Sequence, residues 1–417
     1  MSAPNLSKSE IQVPFFRPFL AQAETEEVLD TLRSGWLTTG VKVKRFETNF
    51  GAAVRGRHAV AVNSCTAALH LAVEALGLKA GQAVLVPTMT FAATAEVVRY
   101  QGAIPILIDC DAETLNIDLS DAARKLEQLR GGQLSSVSGS LNPETSVVGI
   151  IPAHVGGLML PIDELKAFAK KEGLWIVEDA AHSFPAAWRK SPNDPWQQCG
   201  EDTADVSCFS FYANKTITTG EGGMAVTANS DLADRIRMMS LHGLSHDAWG
   251  RYSSGGSWDY KIAAPGFKYN LTDIAAAIGI HQLARAESMR DEREKIAAIY
   301  AEQLSSVEAV TLPPNDPNRV HSWHLFPIKL NLEQLIIDRN SFIEKLKLTG
   351  VGCSVHWRPL HLHPYYEEMF GWGQELLPVS TAEWQRLVSL PLFPGMTDIE
   401  IQHVVDSVSN ICRRSAL

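Results

Sequence analysis

The sequence predicts an α/β fold built on a mainly parallel sheet with helices on both faces. Three observations carry this expectation. Short apolar runs recur near 59–62, 83–86, 104–108, 147–151, 174–178, 206–211 and 224–227. Segments with helical apolar spacing separate them, as Leu69, Val73 and Leu76 do after the first run, and strands that alternate with helices assemble in parallel. Finally, 417 residues with 45% hydrophobic content can build two packed units rather than one.

Taken in order, residues 1–20 read as an extended arm joining the smaller unit, 21–287 as the large unit and 288–417 as a small C-terminal α/β unit. After Ala59–Val62 come Asn63, Ser64, Cys65, Thr66, Ala67 and Ala68, small residues that open a helix. Its first amides point outward at the positive end of the dipole, which suits a phosphate. Ser64 or Thr66 serves equally as a plain helix cap. The strand Ala83–Val86 ends at Pro87-Thr88-Met89-Thr90-Phe91-Ala92-Ala93-Thr94, where Phe91 is either a face for a cofactor ring or a core aromatic. Residues 131–140, rich in glycine and serine, form a surface loop.

The strand Leu174–Val177 runs into Glu178-Asp179-Ala180-Ala181-His182-Ser183. Ligands bind at the carboxyl edge of open α/β sheets, so an acid there faces a ligand. Asp179 is preferred over Glu178, the alternative being an Asp that caps a following helix. A longer, irregular stretch, 189–200, precedes the next strand. That strand, Val206 to Phe211, delivers Lys215 into a turn containing Gly220, Gly222 and Gly223. A lysine between a buried strand and a close-packed turn is partly desolvated, and its amine becomes nucleophilic enough for a Schiff base. An ordinary solvated lysine is the alternative. A Schiff-base lysine with an aspartate beside a pyridine nitrogen is the pair that pyridoxal phosphate (PLP) requires. In the second unit, the charged segment Ser288–Tyr300 predicts a helix, with strands near 324–328 and 353–356 and helices near 340–348 and 398–412.

Composition narrows the function. A net charge of −10 and an isoelectric point near 5.7 argue against a general nucleic-acid surface, while leaving room for a local basic pocket. No apolar run approaches the ~18 residues of a membrane span. Met1 to Asn5 do not open a secretory signal, so the cytoplasm is expected. Six cysteines lack Cys-x-x-Cys spacing. His321, His324, His356, His361 and His363 could share a face on short extended segments. No carboxylate or cysteine completes a metal set, so they are read as pocket histidines and no metal is expected.

The ordered motifs resemble the DegT/DnrJ/EryC1/StrS family of PLP-dependent sugar aminotransferases. They are Ser-x-Thr-Ala-x-Leu-His at 64–70, Glu-Asp-Ala-Ala-His-Ser at 178–183, Ser-Phe-x-x-x-Lys at 210–215 and Thr-Gly-Glu-Gly-Gly at 219–223. The likeness runs from Val13-Pro14-Phe15 to Ser389–Pro394 and implies the aspartate-aminotransferase fold, PLP fold type I. It also implies that Lys215 forms the Schiff base and shuttles the proton, and that Asp179 partners the pyridine nitrogen. His182 would lie near the phenolic oxygen, Phe91 on the ring, and Thr66, Ala67 and Ser210 at the phosphate. Asn270 would bind the phosphate of the other subunit's cofactor, which implies a homodimer with shared sites. Glutamate is the implied donor and a nucleotide-linked keto sugar the acceptor. Leu241–Leu244, Asp247–Ser253 and Pro359–Tyr366 resemble the subgroup that aminates UDP-linked 4-keto sugars of the 4-amino-4-deoxy-arabinose type. Thr38, His324 and His361 are candidates for the sugar pocket by position. Two other roles stand beside this one. A dehydratase of the same fold carries histidine in place of the lysine, whereas this chain has Lys215; a regulatory protein would more plausibly carry a basic DNA-binding segment.

Overall fold

The computed structural model describes residues 11–137, 139–244 and 261–417. The expected segments form β1 (His58–Val62), β2 (Ala83–Pro87), β3 (Ile104–Ile108), β4 (Val147–Ile150) and β5 (Trp175–Asp179). The short β6 (Ala187–Trp188) and β7 (Gln197–Gln198) follow, then β8 (Val206–Ser210) and β9 (Gly223–Thr227). Seven of these make one sheet in the order β1-β9-β8-β5-β4-β2-β3. Pairing is parallel from β3 through β8, and β9 runs antiparallel to both β8 and β1. Only a loop, with no crossover helix, links β8 to β9, and such a link returns a strand antiparallel.

Burial explains why the strands read as continuous apolar runs. Every residue of β2, β3 and β9 is buried, as expected where helices cover both faces. Cores lie on the two sides, one containing Leu71, Leu85, Ile106 and Val177, the other Phe46, Phe50, Phe209 and Phe211. Phe50 sits 5.0 Å and 5.3 Å from the rings of Phe209 and Phe211, edge to face.

A third core surrounds the antiparallel sheet of β10 (Val310–Thr311), β12 (Phe326–Leu330) and β13 (Leu387–Leu390). Helices Ala286–Leu304, Arg339–Leu348 and Asp398–Arg414 pack on it. Val13 belongs to this core: it donates to Gly350 O at 2.9 Å and accepts from Gly352 N at 2.8 Å.

Several expectations are corrected. The strand expected at 324–328 begins at Phe326, because Ser322 N and Leu325 N donate to Gly157 O and Gly156 O. These bonds tie the preceding segment to the large sheet's edge. Residues 353–356 form only a single bridge, Ser354 with Ser389. The stretch 189–200 is a hairpin return: β7 pairs with β6, and β6 pairs with β11 (Arg319–Val320). The loop after 131 is anchored by Trp372, whose indole donates to Ser135 O at 2.8 Å. The motif Asp247–Ser253 lies outside the described residues.

Candidate active site

Strands β2, β5 and β8 run parallel, and β1, antiparallel to β9 as β8 is, points the same way, so their carboxyl ends share one edge, where a cavity of about 360 Å³ opens. Each strand supplies its wall through the residues that follow it: Ser64, Cys65 and Thr66 after β1; Thr90 and Phe91 after β2; Asp179 at the end of β5 with His182 beyond; Ser210 and Lys215 from β8 and its loop. The amino end of β9 closes against them. A Cβ on Gly223 would meet Ser64 O at 2.4 Å, so only glycine allows that approach.

The loop from Phe211 to Gly222 holds Lys215 through its own backbone. Lys215 N donates to Tyr212 O, Thr219 N to Phe211 O, and Phe211 N to Gly222 O. The ammonium lies 3.5 Å from His324 Nε2. Burial presses the Lys215 pKa down to about 8, against the pull of the Asp179 charge.

Strand alternation separates the two acids of β5. Glu178 turns away from the cavity, accepting from Thr203 Oγ1 and Ser207 Oγ, each at 2.6 Å. His154 Nε2 lies 3.3 Å from its other oxygen. His154 Nδ1 accepts from Leu160 N, so Nε2 is the ring nitrogen that faces Glu178. Cys199 lies beside this pair, and the ligand atoms of the three residues fall within 4.8 Å of one another. Asp179 faces the cavity instead, accepting from Thr94 Oγ1 at 2.6 Å and Ala181 N at 3.2 Å. Burial raises its pKa, and those two donors and Lys215 oppose the rise. No helix follows Asp179, so it is not a helix cap.

Three histidines approach Lys215. His182 Nδ1 accepts from Gly156 N at 3.3 Å, leaving Nε2 as the N–H of a neutral ring. Burial lowers the pKa of His182 and of His324 well below the usual imidazole value, and that of His356 to about 4. The His182 ring lies 4.2 Å from that of His324 and stacks on Trp357 at 5.0 Å. The cavity thus offers neutral, hydrogen-bonding imidazoles beside an amine that loses its proton near pH 8.

Among the other candidates, Thr66, Ser210 and Phe91 line the cavity, and Phe91 is 62% exposed, with a ring face free for a ligand. Ala67 is a correction: its amide donates to Ser64 Oγ at 3.1 Å and its side chain packs in the core. Ser64 is the N-cap, so the plain-cap alternative holds for it. Asn270 and Thr38 sit apart. Asn270 Nδ2 donates to Thr39 Oγ1 at 2.7 Å, Thr38 O accepts from Asp273 N, and Asn270 lines a separate cavity with Trp36 and Arg237.

His361 is the second correction. It is 1% exposed and lies between Thr88 Oγ1 and Thr381 Oγ1, each 2.9 Å from a ring nitrogen. It is a satisfied core histidine, not a cavity residue. His361→Ala is therefore expected to cost about 2–4 kcal/mol of stability by chemical denaturation, with kcat/KM unchanged. A large fall in kcat/KM at full stability would return His361 to the site.

Sequence reasoning passed over Thr90, Thr94, Tyr212, Asn214, Glu221 and Trp357. Thr94 stood within the run after β2 and His356 within the histidine run, but nothing local marks which of those residues turn inward.

This geometry defines a lysine-centred cofactor enzyme of the α/β class. The chain belongs to the DegT/DnrJ/EryC1/StrS aminotransferase family, whose pattern matches residues 18–409. It is 39% identical over 402 residues to the spore coat polysaccharide biosynthesis protein SpsC of Bacillus subtilis, covering 96% of this chain and 97% of that one. Spr1654 of Streptococcus pneumoniae in its PLP-form superposes with a TM-score of 0.83 at 28% identity, over 97% and 99% of the two chains. The sugar aminotransferase CalS13 of Micromonospora echinospora gives 0.80 at 26%, over 95% and 99%. The cofactor is PLP, and the donor set fits it: an amine of depressed pKa, a buried carboxylate and an exposed aromatic face around one cavity. Among the described residues no helix is long and apolar enough to cross a membrane.

Proposed function

We propose that this protein transfers the amino group of glutamate to a nucleotide-linked keto sugar, of the UDP-4-keto class, for glycan or secondary-metabolite sugar synthesis. The observation that carries the reading is the single cavity that gathers Lys215, Asp179 and the neutral rings of His182, His324 and His356, with His324 beside the amine. Similarity to SpsC supports a polysaccharide pathway, and similarity to CalS13 supports a sugar acceptor.

When bound, the cofactor withdraws electrons from the carbon that loses its proton. Lys215 Nζ, once released, is the base and acid that moves that proton. Asp179 would hold a proton on the ring nitrogen, Ser210 and Thr66 would hold the phosphate, and Phe91 would supply a face for the ring. His324, close to Lys215, and His356 suit sugar hydroxyls. We further propose that residues 21–287 bind the cofactor while 288–417, with the arm, close over the sugar. Asn270 would complete the site of a second copy, which makes the working form a homodimer.

The test adds glutamate to the PLP-loaded protein, then a panel of nucleotide-linked 3-keto and 4-keto sugars. Glutamate is expected to bleach the visible absorbance, and one UDP-4-keto sugar to restore it. Bleaching without recovery by any sugar would overturn the acceptor class. Conversion of a sugar to its deoxy product without nitrogen would favour the dehydratase.

A further inference from the structure

We propose that Thr94, backed by Thr90, is a positioning residue that keeps Asp179 ionised against the cofactor's ring nitrogen. The inference rests on the reading of Asp179 given above. Thr94 is fully buried and Thr90 and Asp179 nearly so, at 2% and 7% exposed. Thr94 Oγ1 lies 2.6 Å from Asp179 Oδ2, and Thr90 Oγ1 lies 2.8 Å from Thr94 Oγ1.

Direction follows from valence. An ionised carboxylate only accepts, and a hydroxyl has one proton to give. The Thr94 proton therefore goes to Asp179, and the Thr94 oxygen receives the Thr90 proton. Two hydroxyls aligned head to tail point at one carboxylate in a buried setting, where such chains strengthen one another. A contact of 2.6 Å is the length expected when a hydroxyl donates to a carboxylate. The second Asp179 oxygen already accepts from Ala181 N at 3.2 Å.

Threonine early in a helix commonly bonds nearby backbone. Thr94 is the second residue of the helix Ala93–Tyr100, and its own amide is taken by Phe91 O at 3.2 Å. Its hydroxyl instead crosses from β2's following segment to the end of β5. One segment thus supplies Phe91 at the cavity mouth and Thr94 behind the carboxylate.

The other titratable groups facing Asp179 are Lys215, from the loop after β8, whose charge favours the ionised carboxylate, and His154, from the segment after β4. The thiols of Cys65 and Cys208 also face it, and burial keeps both protonated. Burial pushes the Asp179 carboxyl towards its protonated form, and the Thr94 hydrogen bond is the largest influence opposing that push. Without this donor, Asp179 would draw the shared proton from the ring nitrogen. A neutral ring withdraws fewer electrons from the conjugated nitrogen of Lys215, which then holds its own proton to higher pH.

The experiment titrates the visible absorbance of the PLP-loaded protein against pH for the wild type, Thr94→Val, Thr94→Ser and Thr90→Val. Valine keeps the shape and removes the hydroxyl. The midpoint is expected to rise by on the order of one pH unit in Thr94→Val. A smaller rise is expected in Thr90→Val, and the wild-type value in Thr94→Ser. Should Thr94→Val fail to fold, Thr90→Val carries the test. Loaded valine variants that titrate at the wild-type midpoint would overturn the role of Thr94 while leaving the cofactor reading intact. A wild type that takes up no PLP would overturn both.

Discussion

Lys215→Ala is expected to leave a folded protein that turns over at least about a thousandfold more slowly, yet still binds pyridoxamine phosphate. Under the proposed assignment two roles are removed together, the covalent tether and the base that moves the proton, whereas Asp179, Ser210, Thr66 and Phe91 remain on the cavity wall. Lys215→Arg should fail equally, because a guanidinium does not lose its proton in the working range. Turnover in a purified single-turnover assay and retention of pyridoxamine phosphate after gel filtration check both statements. Full retained activity would sink the assignment of Lys215.

The pH dependence of the unloaded protein tests the same lysine from another side. Only the free amine attacks an aldehyde, so the rate of PLP uptake should rise with pH through about 8 and level off above it. Stability has a matching signature. The folded pKa lies below the ordinary value of 10.5, so between about 8 and 10.5 the unfolded chain binds more protons at this site than the folded one. Stability contributed by this site therefore rises with pH across that window, and the cost of burying the cation is fully present below it. Lys215→Ala should abolish that slope. An uptake midpoint near 10.5 would mean the amine is ordinarily solvated.

The large sheet was legible because burial on both faces writes strands as apolar runs, and all seven expected runs became strands. That Lys215, Asp179 and His182 share one cavity could be expected because each lies within a few residues of a strand end, so a short stretch of chain decides where they point. His361 was misread for the opposite reason: alternation along an extended segment says which residues share a face, but not which face meets a cavity. Residues 360–362 form a 3-10 turn instead, and Thr88 and Thr381, far away in sequence, capture that ring. Thr94 was passed over because its partner is 85 positions away, and only the order of strands brings the two together. The Ala67 amide is bonded to the hydroxyl of Ser64, a contact that the motif alone did not distinguish from one to a phosphate.

Asp179→Asn carries the other large expected effect. The substitution preserves size and removes the charge proposed to face the ring nitrogen, and the loss of one preorganised electrostatic partner in a buried site is expected to lower turnover by about 10²–10³-fold. The neutral amide also meets two donors, Thr94 Oγ1 and Ala181 N, at positions where the carboxylate accepted from both. One of them must turn its proton elsewhere or face an NH₂ group, so a modest loss of stability accompanies the loss of rate. The effect on Lys215 has a definite sign. Asp179 is the largest influence holding up the lysine pKa against burial, so its removal moves the midpoint of PLP uptake below about 8. Uptake that begins at lower pH, together with slow turnover, would show that Asp179 acts through its charge on both the ring and the lysine. Near wild-type turnover with an unmoved midpoint would show that the carboxylate serves only packing, and the electron-withdrawing role would then have to come from another residue of the cavity.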